Sequence, residues 1–127
     1  MSDAEQVVKD FLVHLEVSDF DKGRLVFAEA IAEDCRWANS GFPTAEGKDA
    51  CLALWDAFHQ ASGFVGLRVD MIAIGSAGDT VVTERVDHLL NSAGEVIVSI
   101  PLAGTLVVRA GKIAAWRDYF DPRPLLG

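Results

Sequence analysis

Arg85, Asp87 and Asp118 are the side chains whose types and placement could do chemistry: two carboxyls able to share one guanidinium, the raw material of an acid–base pair. In Val81-Val82-Thr83-Glu84-Arg85-Val86-Asp87-His88-Leu89 a strand would send Val81, Thr83, Arg85, Asp87 and Leu89 to one face, so charge and apolar bulk share it. At roughly 3.3 Å per residue, Arg85 and Asp87 stand about 7 Å apart along the strand, close enough for a third group to bridge them. Asp118 closes a second apolar alternation, Ala114-x-Trp116-x-Asp118-x-Phe120. A solvated face is the ordinary explanation of charge in a strand, but here both segments set the charge among inward-looking apolar positions. Two carboxylates beside one guanidinium in an apolar pocket leave net negative charge, which favours a proton on one of them. The two carboxyls are expected to approach Arg85 from opposite sides, at roughly 2.7–2.9 Å.

Strand parity also supplies a wall. Leu89 shares the face of Arg85 and Asp87, Trp116 and Phe120 share that of Asp118, and Ile100 with Leu102 completes an apolar lining suited to an uncharged substrate. His14, His59 and His88 are scattered, so no metal or cofactor is invoked. Ser40, Ser62 and Ser99 lack a nucleophile elbow, and Cys35 and Cys51 sit in apolar surroundings that favour inert packing.

The elements that must position these residues follow from periodicity. Ser2 and Asp3 can cap a helix carrying Val7, Val8, Phe11, Leu12 and Leu15 on one stripe. A second helix starts after Asp19 or Asp21 and runs to Glu33-Asp34, where Cys35 to Asn39 alternates as a short strand. A third, of about 14 residues, lies between Gly47 and Gly63. From Val65 onward the chain reads as a four-strand meander, with turns at Ser76–Asp79, Asn91–Gly94 and Arg109–Lys112. Pro101, without an amide proton, marks a bulge or a curling edge. Helices first and an antiparallel sheet afterward give an α+β architecture in a single domain, 1–127.

With 127 residues the chain can bury a core with a pocket in it. A net charge of -8 disfavours nucleic acid and anionic membrane surfaces as partners. The unpaired cysteine spacing, the absence of a basic and apolar N-terminal run and the lack of a spanning segment predict a cytoplasmic protein.

At Thr83-Glu84-Arg85-Val86-Asp87, Gly111-Lys112-Ile113 and Trp116-Arg117-Asp118-Tyr119-Phe120-Asp121 the sequence resembles the limonene-1,2-epoxide hydrolase family, from about Ala4 to Asp121. The resemblance implies the SnoaL-like, or nuclear transport factor 2-like, cone: a strongly curved, mainly antiparallel sheet with three helices from the N-terminal half on its concave face. It implies cofactor-independent addition of water to a small apolar epoxide, giving a vicinal diol, with Asp118 as base, Asp87 as acid and Arg85 bridging them. The family holds the water with a Tyr and an Asn two residues apart on the first strand. Here that element is Trp37-Ala38-Asn39, and an indole donates a hydrogen bond but cannot accept one. The segment after Asp121, Pro122 to Gly127, is too short for the family's pocket cover, which predicts a more open pocket. A homodimer through the outer sheet face is also implied, where Val82, Val86 and Leu90 would otherwise expose apolar surface. The same cone hosts ketosteroid-isomerase-like and polyketide-cyclase-like enzymes and non-catalytic hydrophobic-ligand-binding domains. Asn39 stands where the isomerase needs a carboxylate, and the charged trio speaks against a purely binding role.

Overall fold

A computed structural model describes residues 2–126; Met1 and Gly127, the ends of the expected domain, lie outside the described residues. The order is α1 (Asp3–His14), α2 (Phe20–Ala30), β1 (Ile31–Asn39), β2 (Ala45–Glu46), α3 (Lys48–Ser62), β3 (Gly66–Ala77), β4 (Thr80–Leu90), β5 (Val96–Arg109), β6 (Lys112–Tyr119) and α4 (Arg123–Leu126). The expected α+β class is what forms. Ser2 and Glu5 make a capping box at the start of α1, Asp19 caps α2 by accepting from the Lys22 amide, and Gly63 ends α3 in the left-handed region at φ 80°.

One sheet of six strands runs β2-β1-β6-β5-β4-β3. The meander β3 to β6 is antiparallel throughout, while β1 joins it parallel to β6. That parallel pairing sets Trp37 beside Trp116 and Asn39 beside Asp118, so the first strand delivers its polar residue to the end of the last. α1 packs on β3 and α3 on β1, and the helices bury their apolar stripes against the inner sheet face. Four aromatic rings fill the centre: Phe27 stacks on Trp55 at 4.6 Å and Trp37 on Trp116 at 5.3 Å.

Two local expectations need correction, and of the two alternatives for Pro101 the edge, not the bulge, is what forms. α2 stops at Ala30 rather than near Glu33-Asp34, because Ile31 already pairs with Ile113 and Ile31, Cys35 and Trp37 are buried against the core. Pro101 sits in unbroken register opposite Val86, with no bulge at that point. It is tolerated because β6 starts pairing with β5 only at Ala103, leaving Pro101 flanked by β4 alone. Leu90 is buried rather than outward, since the register shifts between Leu89 and Leu90 and turns both side chains inward. No helix among the described residues is long and apolar enough to cross a membrane.

Candidate active site

Alternation along β4 works as the residue types dictate: Val81, Thr83, Arg85, Asp87 and Leu89 are all buried on the inner face. Arg85 is fully buried, and every polar arm of its guanidinium is used. Nε donates to Asp87 Oδ1 at 3.1 Å and Nη2 to Asp87 Oδ2 at 2.9 Å, a bidentate pair along one strand. Nη2 also donates to Asp118 Oδ2 at 2.9 Å, and Nη1 to Thr83 Oγ1 at 2.9 Å. The carboxyls therefore meet on a shared nitrogen, not from opposite sides. Thr83 in turn donates to the Gly104 carbonyl at 2.9 Å, which moors the guanidinium to β5. Thr83 was legible only as an inward β4 residue; its alternation with Arg85 was the signal for this anchoring role.

A cavity of about 60 Å³ opens over the trio. Trp37, Asn39, Asp87, Leu89, Ile100, Leu102, Trp116, Asp118 and Phe120, all proposed from sequence, line it. Arg85 lies beneath, reaching the cavity through the two carboxyls it holds. Helix α3 adds Trp55 and Phe58, and Phe64 and Leu67 close the β3 side; none of these four was singled out from the sequence as a lining residue. Leu125 of α4 also lines the cavity, so the short C-terminal segment does cover part of it. Gly41 permits that: its φ is +85°, and a Cβ there would come within 2.7 Å of Pro122.

Asp118 has the distinctive electrostatics. Burial pushes its carboxyl up to about 6, the Arg85 charge opposes that rise and the Asp87 charge adds to it. Burial disfavours the charge on Arg85 too, but the carboxylates outweigh it and the guanidinium is held more firmly protonated than usual. Trp37 Nε1 and Asn39 Nδ2 are buried donors with no hydrogen-bond partner among the described residues, and both residues face the cavity. A pocket with an acceptor pair at its base and unspent N–H groups on its wall can hold a polar oxygen and move protons at it. Among the described residues no cluster of His, Cys, Asp and Glu has the arrangement of a metal centre.

Comparisons with known proteins bear on the chain as a whole. Residues 2–127 match the family described as the limonene-1,2-epoxide hydrolase catalytic domain. The epoxide hydrolase EphG of Mycobacterium tuberculosis is 34% identical over 114 residues, covering 90% of this chain and 70% of that protein. Among solved structures, an LEH-like epoxide hydrolase of M. tuberculosis superposes with a TM-score of 0.73 at 30% identity, over 97% of this chain and 86% of the other. A protein of the nuclear transport factor 2-like fold from Cytophaga hutchinsonii, of unknown function, shares the fold at a TM-score of 0.70 and 16% identity, over 100% of this chain and 97% of the other. A match that runs through all six strands, and so through the strands that bring Arg85, Asp87 and Asp118 together, shows that the chain belongs to the limonene-1,2-epoxide hydrolase family.

Proposed function

We propose that this protein is a cofactor-independent epoxide hydrolase that adds water to a small apolar epoxide in one step. The observation that carries the reading is the Arg85 Nη2 shared by Asp87 and Asp118 at 2.9 Å each, under an apolar cavity. With one proton shared between the two carboxyls the trio is electrically neutral, which suits its surroundings, and the family resemblance gives Asp87 the part of the acid. Asp118, raised to about 6, is ionised at neutral pH yet more basic than an ordinary carboxylate. In the proposed step a water oxygen bonds to one epoxide carbon as that carbon's bond to the ring oxygen breaks. The water's proton goes to Asp118, and the ring oxygen takes the proton of Asp87. Proton exchange with solvent then resets the pair. Asn39 orients the water with Asp118, and Trp37 contributes its indole N–H as a donor only. Leu89, Ile100, Leu102, Trp116 and Phe120 supply the apolar contact that selects an uncharged substrate.

We also propose that two copies of the chain, each a single domain over 1–127, associate through the outer sheet face. Val82 and Ile72 are 49% and 59% exposed there, and a shallow groove between them is lined by Ile74, Pro101 and Ala103.

The reading is tested by diol formation across a panel of cyclic and terpene epoxides. Asp87→Asn and Asp118→Asn should each lower turnover by about 10²–10⁴-fold with the fold retained, since each removes one half of the acid–base pair. Diol formation that survives either substitution would remove that carboxyl from the mechanism.

A further inference from the structure

Trp116 and Gly104 make contacts that the wall of a pocket does not require. Trp116 Nε1 donates to Asp118 Oδ1 at 2.9 Å, the oxygen that Arg85 leaves free. Packing explains where the ring lies: it stacks on Trp37 and takes the edge of Phe11 at 5.3 Å. Packing does not explain where the nitrogen points. Trp37 and Trp55 sit in the same aromatic cluster, and their Nε1 atoms have no partner among the described residues.

Gly104 lies in the interior of β5, opposite Thr83 on β4 and Asp118 on β6. Its φ is not in the left-handed region, so the backbone does not call for glycine. The space does. A Cβ at 104 would fall far inside contact distance of Asp118 Oδ1, and would stand 3.0 Å from Arg85 Nη1 and 3.1 Å from the Arg117 carbonyl oxygen. In the cross-strand row Thr83–Gly104–Asp118–Asn39 the missing side chain is the volume into which carboxylate and guanidinium both reach.

We propose that Trp116 and Gly104 are positioning residues for Asp118: the indole N–H fixes one carboxylate oxygen, and the glycine leaves the space in which that carboxylate meets Arg85. Their purpose, aiming a base at water, rests on the hydrolase reading above. With Oδ1 held by the indole and Oδ2 by the guanidinium, the carboxylate plane is set from both ends. The remaining lone pairs then have one fixed direction toward the cavity. An N–H donor at Oδ1 also favours the ionised form, so its loss makes Asp118 hold its proton to higher pH.

The test follows the Asp118 carboxyl by ¹³C NMR in protein labelled at aspartate carboxyls, with Asp118→Asn to assign the signal. Trp116→Phe keeps an aromatic ring and removes the N–H; it should move the Asp118 titration up by about one pH unit. The acid limb of kcat/KM should move with it, and kcat should fall more than KM rises. Gly104→Ala should displace the carboxylate and cost on the order of 10²-fold in kcat. Leu106→Val, opposite Trp116 on β5 and outside the cavity lining, controls for packing and should lower the melting temperature without moving the titration. The proposal is overturned if Asp118 titrates at the wild-type pH in Trp116→Phe, or if Gly104→Ala loses activity only in proportion to folded protein. A wild-type chain that hydrolyses no epoxide would sink the hydrolase reading alone. The titration needs no substrate and still decides whether the two residues hold Asp118.

Discussion

Asp118 owes its basicity to burial, and the same burial makes it a liability for stability. Its carboxyl titrates at about 6 in the folded protein, against about 3.9 for an exposed aspartate, so the folded state binds the proton more tightly than the unfolded one. The sign follows: this contribution is complete below about pH 4 and is lost as pH rises through about 6. Asparagine at the same place cannot titrate. Urea unfolding of both proteins should therefore show the wild type losing about 2–3 kcal/mol relative to Asp118→Asn between pH 4 and pH 7.5. A stability difference that does not vary with pH would mean that Arg85 fully offsets the burial of Asp118. At this scale the trio was legible, because strand alternation fixes which side chains share a face. The partner atoms were not. Trp116 and Asp118 are two residues apart and visibly share a face, but nothing in that spacing tells a wall from a donor. Gly104 carries no side chain to read, and its role exists only once β4 and β6 flank it.

Among the elements, helices with strong caps were readable to within a residue or so, since Ser2, Asp19 and Gly63 satisfy helix ends by local chemistry. The α2–β1 boundary was not, because Glu33 and Asp34 look equally at home in either element and the strand is decided by pairing with β6 far along the chain. Leu90 shows the same dependence: one register shift turned a residue expected on the outer face into core. Val82 stays outward, on the face proposed to meet a second copy. Sedimentation should give about twice the 13.7 kDa chain mass, and Val82→Asp should reduce it to the single-chain value by placing a charge in an apolar contact. A wild-type protein that sediments as one chain at micromolar concentration would exclude this interface.

On the scale of the whole molecule, the fold is a device for gathering a site from distant stretches of chain. Arg85 and Asp118 are 33 residues apart, and Asn39 reaches Asp118 only through the parallel β1–β6 pairing. Composition and alternation indicated strands, and the resemblance indicated the cone, but neither located α4. Its Leu125 covers part of the cavity because Gly41 lets Pro122 settle beside the end of β1. The chemistry proposed for this cavity differs from that of hydrolases with a carboxylate nucleophile in one respect: Asp118 takes a proton from water and never bonds to carbon. Oxygen from solvent then enters the diol directly. A single turnover with enzyme in excess over epoxide, run in ¹⁸O-labelled water, should give diol carrying the label on the first pass. First-turnover diol without label, its new oxygen drawn from Asp118 or Asp87, would contradict the general-base account and make that carboxylate a nucleophile.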